Sequence, residues 1–180
     1  MIKLMRRRLR RFAKAKKGLA ALEFAIIAPM MIFLLFGSVE TIDMLSVNSR
    51  AQNVAASLAD VVARDTEVSN AEVSGLWDAL AVLMYPNNPA NIDVRVTSVR
   101  IVNATTARVV WSEGRGLAGR VANSTVSLPS AIMNPGTSII MTETVYRYDS
   151  PLGFILDGPI EMSHVAYRRS RLVDPIPRVS

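Results

Sequence analysis

Hydrophobic positions fall into three regimes along the chain. From Leu19 to Val39 they run almost unbroken, with Glu23 as the only charge. From Met44 onward they recur at Val47, Ala51, Val54, Leu58 and Val61, alternating three and four residues apart, the spacing of one face of a helix. Beyond Asn91 they come in short runs bounded by Asn, Gly and Pro, which predicts strands and turns. A helix rising ~1.5 Å per residue from Leu19 to Val39 reaches about 30 Å, the hydrocarbon thickness of a bilayer. The first regime therefore predicts a membrane-spanning helix over 19–39. The second predicts its continuation as an amphipathic stalk over 40–65, its apolar stripe packed on the protein's own core or, in the sharper reading, on partner helices.

Ser69 and Glu72 form the pattern of a capping box. Val73, Leu76, Trp77, Leu80 and Leu83 then mark a second helix, with Trp77 as a core anchor, stopped by Tyr85-Pro86-Asn87-Asn88-Pro89. Val94 and Val96 alternate before the phase slips to Val99 and Ile101, which predicts a bulge near Thr97 and Ser98. A turn at Asn103 to Thr105 leads into Thr106 to Ser112, with Val109 and Trp111 expected on one face of an antiparallel hairpin. Glu113 to Gly136, rich in glycine and proline, reads as a mobile loop. Ser138 to Tyr148 is the clearest strand, Met162 to Arg171 a last one, and the tail 174–180 is expected to be extended and poorly ordered. The predicted fold is α+β, with two helices and about four antiparallel strands in an extracytoplasmic domain over 66–173.

Charge changes this picture by its location. The net charge is +6, yet Met1 to Gly18 holds nine of the 21 basic residues and none of the 15 acidic ones. The remainder carries 12 basic against 15 acidic residues, so a nucleic-acid partner is not expected. Positive charge on one flank of an apolar helix keeps that flank in the cytoplasm, which predicts a single-pass protein with its N-terminus inside and its C-terminal domain outside. Absence of cysteine excludes disulfides, thiol catalysis and thiolate metal sites. The single histidine, His164, follows Ser163 on a predicted strand, where neighbours face opposite ways and cannot act as a nucleophile-base pair. No catalytic motif, metal site or cofactor is called for. Arg168, Arg169 and Arg171 read as a solvated charge run or as a surface for an acidic partner or lipid headgroups.

The candidate chemistry lies where the basic leader 1–18 meets the apolar run. Lys17, Gly18 and Leu19 are followed by Glu23 and Phe24, a spacing that resembles a type IV prepilin processing site. The stretch GLAALEFAIIAP, with its glutamate, aromatic and later proline, resembles the TadE-like (TadE/TadF) family of minor pilins or pseudopilins of Tad/Flp pili. The run PGTSIIMTETVYRYDSP is similar to a strand of that family. The resemblance implies a pilin-like fold and cleavage by a membrane-embedded prepilin peptidase between Gly18 and Leu19. It further implies a role in assembling a pilus used for adhesion, among other Tad pilins and inner-membrane platform proteins. It places the chain in a bacterial inner membrane, with incorporation into the fibre as one fate.

Residue chemistry agrees with those roles. Glycine before a scissile bond has no side chain to obstruct a protease. A new α-amino group at Leu19 would stand one helical turn from Glu23 and, within one chain or between neighbours, offset the cost of a carboxylate in lipid. Alternatively Glu23 lies at the cytoplasmic interface and snorkels to water. Pro29, which lacks an amide donor, is expected to kink or loosen the helix. The competing reading of the whole chain is an uncleaved single-pass protein whose outer domain binds a ligand or a cell-wall component.

Overall fold

The computed structural model describes residues 18–153, 155–156 and 158–180. Lys17 and the rest of the leader before it lie outside the described residues.

Helix α1, Leu19–Val62, is a single helix of 44 residues that passes through Pro29, about 66 Å long at ~1.5 Å per residue. Its two halves have different surroundings. The most apolar stretch of α1 has none of its residues buried in the protein, whereas Val47, Ala51, Val54, Leu58 and Val62 are buried almost completely. The stripe ends on Val62 rather than Val61, which is 51% exposed. A straight helix packed on a core follows a 3.6-residue period, so a strict heptad drifts off the contact within a few turns. Hydroxyls of Ser38, Thr41 and Ser49 donate to the carbonyls of Leu34, Gly37 and Leu45 at 2.6, 2.7 and 3.0 Å, so these polar side chains are satisfied within the helix.

Helix α2, Asn70–Met84, starts at the expected capping box. The Glu72 amide donates to Ser69 Oγ and the Ser69 amide to the Glu72 carboxylate. Those bonds hold the Glu72 carboxyl below its ordinary range. Val73, Leu76, Leu80 and Met84 bury one face, with Trp77 half-buried against the same cluster.

Five strands follow in one antiparallel sheet: β1 Ile92–Ile101, β2 Ala107–Arg115, β3 Thr125–Val126, β4 Ser138–Tyr148 and β5 Ile160–Arg169, in the order β3-β2-β1-β4-β5. Four are the long strands the pattern predicts, and the two-residue β3 is an addition. The β1–β2 turn forms where Asn103 Oδ1 accepts the Thr105 amide at 2.9 Å, a side chain standing in for a turn carbonyl. Outer α1 lies across β4 and β5. Small residues permit close approach there, and Thr144 Oγ1 donates to the Ala51 carbonyl at 3.2 Å. His164 pairs with Asn48 of α1 at 2.9 Å, which makes it part of the helix-strand contact. Asp60 of α1 gathers Arg64, Arg168 and Arg171, so two arginines of the basic run are internally paired.

The register shift falls at Ser98 and Val99, where the phase slip in β1 places a bulge, but the extra residue is on the neighbouring strand. Pairing of β1 with β4 is continuous from Ile92 to Arg100, and the register shifts only against β2, where Ser98 faces Trp111 but Val99 faces Val109. The extra residue is Val110. Consequently Val109 and Trp111 do not share a face: Trp111 joins Val94 and Val96 in the main core, while Val109 joins Val99, Ile101, Ile139 and Met141 in a second cluster on the opposite side. Val126, Leu128, Ile132 and Met133 cover that second cluster. The stretch expected to be a mobile loop is thus partly a cover, whose apolar residues are too irregularly spaced to show a period.

The tail also departs from expectation, because it is docked. Ile176 is fully buried and its carbonyl accepts the Trp111 indole N–H at 2.8 Å. Val68 donates to Pro177 O at 2.9 Å and accepts from the Val179 amide at 2.8 Å. Arg178 meets Glu113 at 2.9 Å. Prolines cannot donate, but their carbonyls still accept and their neighbours still donate, so an extended tail finds partners at an edge.

Two predictions follow from this packing. Ile176→Ala should cost about 2–5 kcal/mol of stability, read from denaturant unfolding of the detergent-solubilised protein, with Trp111 emission shifting red. On the outer face of the sheet Glu143 lies 2.7 Å from Arg95 and 2.8 Å from Arg120. Burial would raise its carboxyl, but the two guanidiniums outweigh that and hold it below its ordinary value of 4.5. A carboxyl depressed by folding stabilises the native state above its unfolded pKa and loses that contribution as pH falls through the folded value. Acid titration of stability should therefore steepen below about pH 4.5, and Glu143→Gln should remove that part of the slope.

Candidate functional site

Two regions of α1 carry polar chemistry within or beside the apolar segment. At the inner end Gly18 is the N-cap, with φ −84° and ψ −17° and no side-chain cap bond. Its backbone is ordinary right-handed helix, and a Cβ built there meets nothing within 4 Å among the described residues. Nothing in the described fold requires glycine at this position. Leu19 and Glu23 are four residues apart on one helix face, and Leu19 and Phe24 are exposed. The structure brings Gly18, Leu19, Glu23 and Phe24 together only as successive positions of the first turns, and Lys17 is outside the described residues.

At the outer end lies a residue that sequence reasoning missed. Glu40, the first carboxylate after the apolar run, is 1% exposed. Its Oε2 accepts the backbone amides of Ile155 and Leu156 at 2.9 and 3.0 Å. The β4–β5 connection is thereby tied to α1 where the helix leaves its apolar stretch. One turn further, Asp43 accepts the Tyr148 hydroxyl at 2.9 Å, and burial together with that carboxylate pushes the Tyr148 phenol up. Its charge immediately after the hydrophobic run was the available signal. The partners, 115 and 116 residues away, gave none.

Among the described residues no group of three or more His, Asp or Glu side chains could hold a metal ion. Ser163 and His164 alternate on β5, and the His164 ring is engaged with Asn48. What the arrangement can do is hold an apolar helix by its outer half and leave its inner half exposed to lipid or other helices.

Both halves of the helix fall in the segment where the chain is similar to known proteins. Residues 18–60 match the family model described as TadE-like protein. Over that segment the chain is similar to TadE-like proteins. The match begins at Gly18 and covers nearly all of α1, so it contains both the inner glycine-glutamate site and Glu40. A TadE-like segment marks a protein associated with Tad pili, a system whose TadE-like members serve as structural and assembly components. With its apolar first half, α1 makes the protein membrane-anchored. No curated protein and no solved structure gives a match.

Removing the Glu40 carboxylate tests the outer site. Glu40→Ala should speed hydrogen exchange of the Ile155 and Leu156 amides by on the order of tenfold or more, as expected for loss of bonds to a charged acceptor. The amides of central β4, such as Ile140, should keep their protection.

Proposed function

We propose that the protein is a minor pilin or pseudopilin of a Tad/Flp-type pilus, made as a precursor and cut after Gly18 by a prepilin peptidase. The observation that carries this is the coincidence at Gly18. The family match starts there, the helix starts there, and the fold gives no reason for a glycine. A protease that must close on an extended backbone does give one. Lys17 marks the cytoplasmic side of the bond, Leu19 becomes the new N-terminus, and Phe24 extends the recognised apolar segment.

Cleavage would create a positive α-amino group beside Glu23. In a bilayer the two charges offset one another better than either is offset by lipid. A partner subunit supplying one of the two would be held in register. The reading puts the protein in the bacterial inner membrane, N-terminus inside, with the α+β head outside. Its partners are the peptidase, other Tad pilins and the membrane platform, and incorporation into the fibre supports adhesion.

One observation favours the alternative of an uncleaved receptor-like protein. An apolar groove of about 490 Å³ opens between α1 and α2, lined by Leu58, Val61, Gly75, Leu76 and Val82, and it has the size of a small-ligand site. The two readings separate at the glycine. Gly18→Leu should reduce cleavage in cells carrying the peptidase on the order of 100-fold, the scale of a misplaced scissile bond, as read by intact mass, and should abolish fibres. Under the alternative the substitution changes nothing. Glu23→Leu should leave cleavage intact and lower fibre yield.

A further inference from the structure

We propose that the β4–β5 connection is a second membrane contact, with Leu152 and Ile155 seated in the outer interface of the same bilayer that α1 spans. The proposal rests on the membrane-anchored reading of α1, not on cleavage or on fibre assembly.

The first observation is where the connection is fixed. Ile155 packs so closely on Gly37 that a Cβ at Gly37 would overlap its Cδ1, and Glu40 holds the Ile155 and Leu156 amides. Leu156 packs toward the main core. The segment is therefore held at the level of residues 37–40 of the helix.

The second is where that level falls in a bilayer. About 30 Å of hydrocarbon corresponds to roughly 20 helical residues. If the inner boundary is at Leu19, the outer one falls near Val39. If the inner boundary moves up to Glu23 so that its carboxylate reaches water, the outer one falls near Asp43. In both settings Ile155, alongside Gly37, lies at or inside the outer boundary.

The third is what the segment presents there. Leu152 and Ile155 are 48% and 42% exposed in the protein alone. Ile155 also closes one side of an apolar groove of about 530 Å³ that it shares with Phe33, Leu34 and Ile42, continuous with the apolar face of the span. A lipid chain is the occupant this groove fits, since two of its walls belong to the spanning helix. The polar groups are arranged to allow it. Backbone amides entering lipid must be satisfied within the protein, and Glu40 satisfies two of them. The same bonds keep the carboxylate turned into the protein, where it is buried, rather than toward acyl chains. Two contacts with one bilayer fix the rotation of the head about α1, and a subunit leaving the membrane must release both.

Because the chain has no cysteine, single-cysteine variants carry unique labels. Leu152→Cys, Ile155→Cys, Ile32→Cys and Val121→Cys of the full chain would be labelled with a nitroxide and reconstituted in phosphatidylcholine-phosphatidylglycerol vesicles. Collision with oxygen and with a water-soluble nickel chelate then reports depth. Labels at 152 and 155 should lie about 5–10 Å below the headgroup surface and favour oxygen, as the label at 32 does. The label at 121, on an exposed valine of the head, should favour the chelate. Adding Glu40→Ala should shift the label at 155 toward the chelate. Aqueous profiles at both 152 and 155 with a lipid profile at 32 would overturn the proposal and leave the anchor standing. An aqueous profile at 32 would overturn both.

Discussion

Packing of α1 from Val47 to Val62 onto β4 and β5 is the contact on which the rest of the molecule depends, because it makes one helix serve two solvents. Inward of Gly37 the helix carries Glu23 as its only charge and none of its most apolar stretch is buried in the protein. Outward of Met44 the same backbone carries a stripe so completely covered that Ala51, Val54, Ala59 and Val62 have no exposed surface. Burial of a large side chain such as Leu58 contributes about 1.5–3 kcal/mol, and removing the helix would open the sheet's whole inner face. The head is therefore built around the outer part of its own anchor. A force applied to the membrane half passes directly into the core, without a flexible linker between them.

Joining two environments in one helix creates a problem at the junction, where polar groups have neither bulk water nor a finished core. The structure meets it locally. Ser38 and Thr41 turn their hydroxyls back to helix carbonyls, Glu40 is covered by the β4–β5 connection, and Asp43 takes the Tyr148 hydroxyl. Gly37 belongs to the same solution, since its missing side chain is what lets Ile155 reach the helix.

Elements whose signals are local were legible in the chain. The apolar run, the Ser69-Glu72 box, the Asn103 turn and the strand run from Ser138 to Tyr148 each depend on residues a few positions apart, and each appears where the sequence places it. Other features depended on distant partners and could not be read that way. Val110 looks like any strand residue, yet it is the inserted position that sends Trp111 into the main core and leaves Val109 on the other face. Pro175 and Pro177 suggested a loose tail, because their missing donors are visible in sequence and the Trp111 indole and Val68 that receive the tail are not. At the candidate sites the inner residues were found through the resemblance and the abrupt charge boundary. Glu40 was passed over because its meaning lies in two amides more than a hundred residues on.

A TadE-like helix continued without interruption into the core of its own head accounts for both the family match and the topology. Hydrogen exchange along α1 of the full chain in a lipid disc tests that continuity most directly. The account predicts unbroken slow exchange from Met30 through Leu58, including Gly37 to Asp43. Rapid exchange confined to residues 37–43, with slow exchange on both sides, would show that anchor and head are two bodies joined by a hinge, and would contradict it.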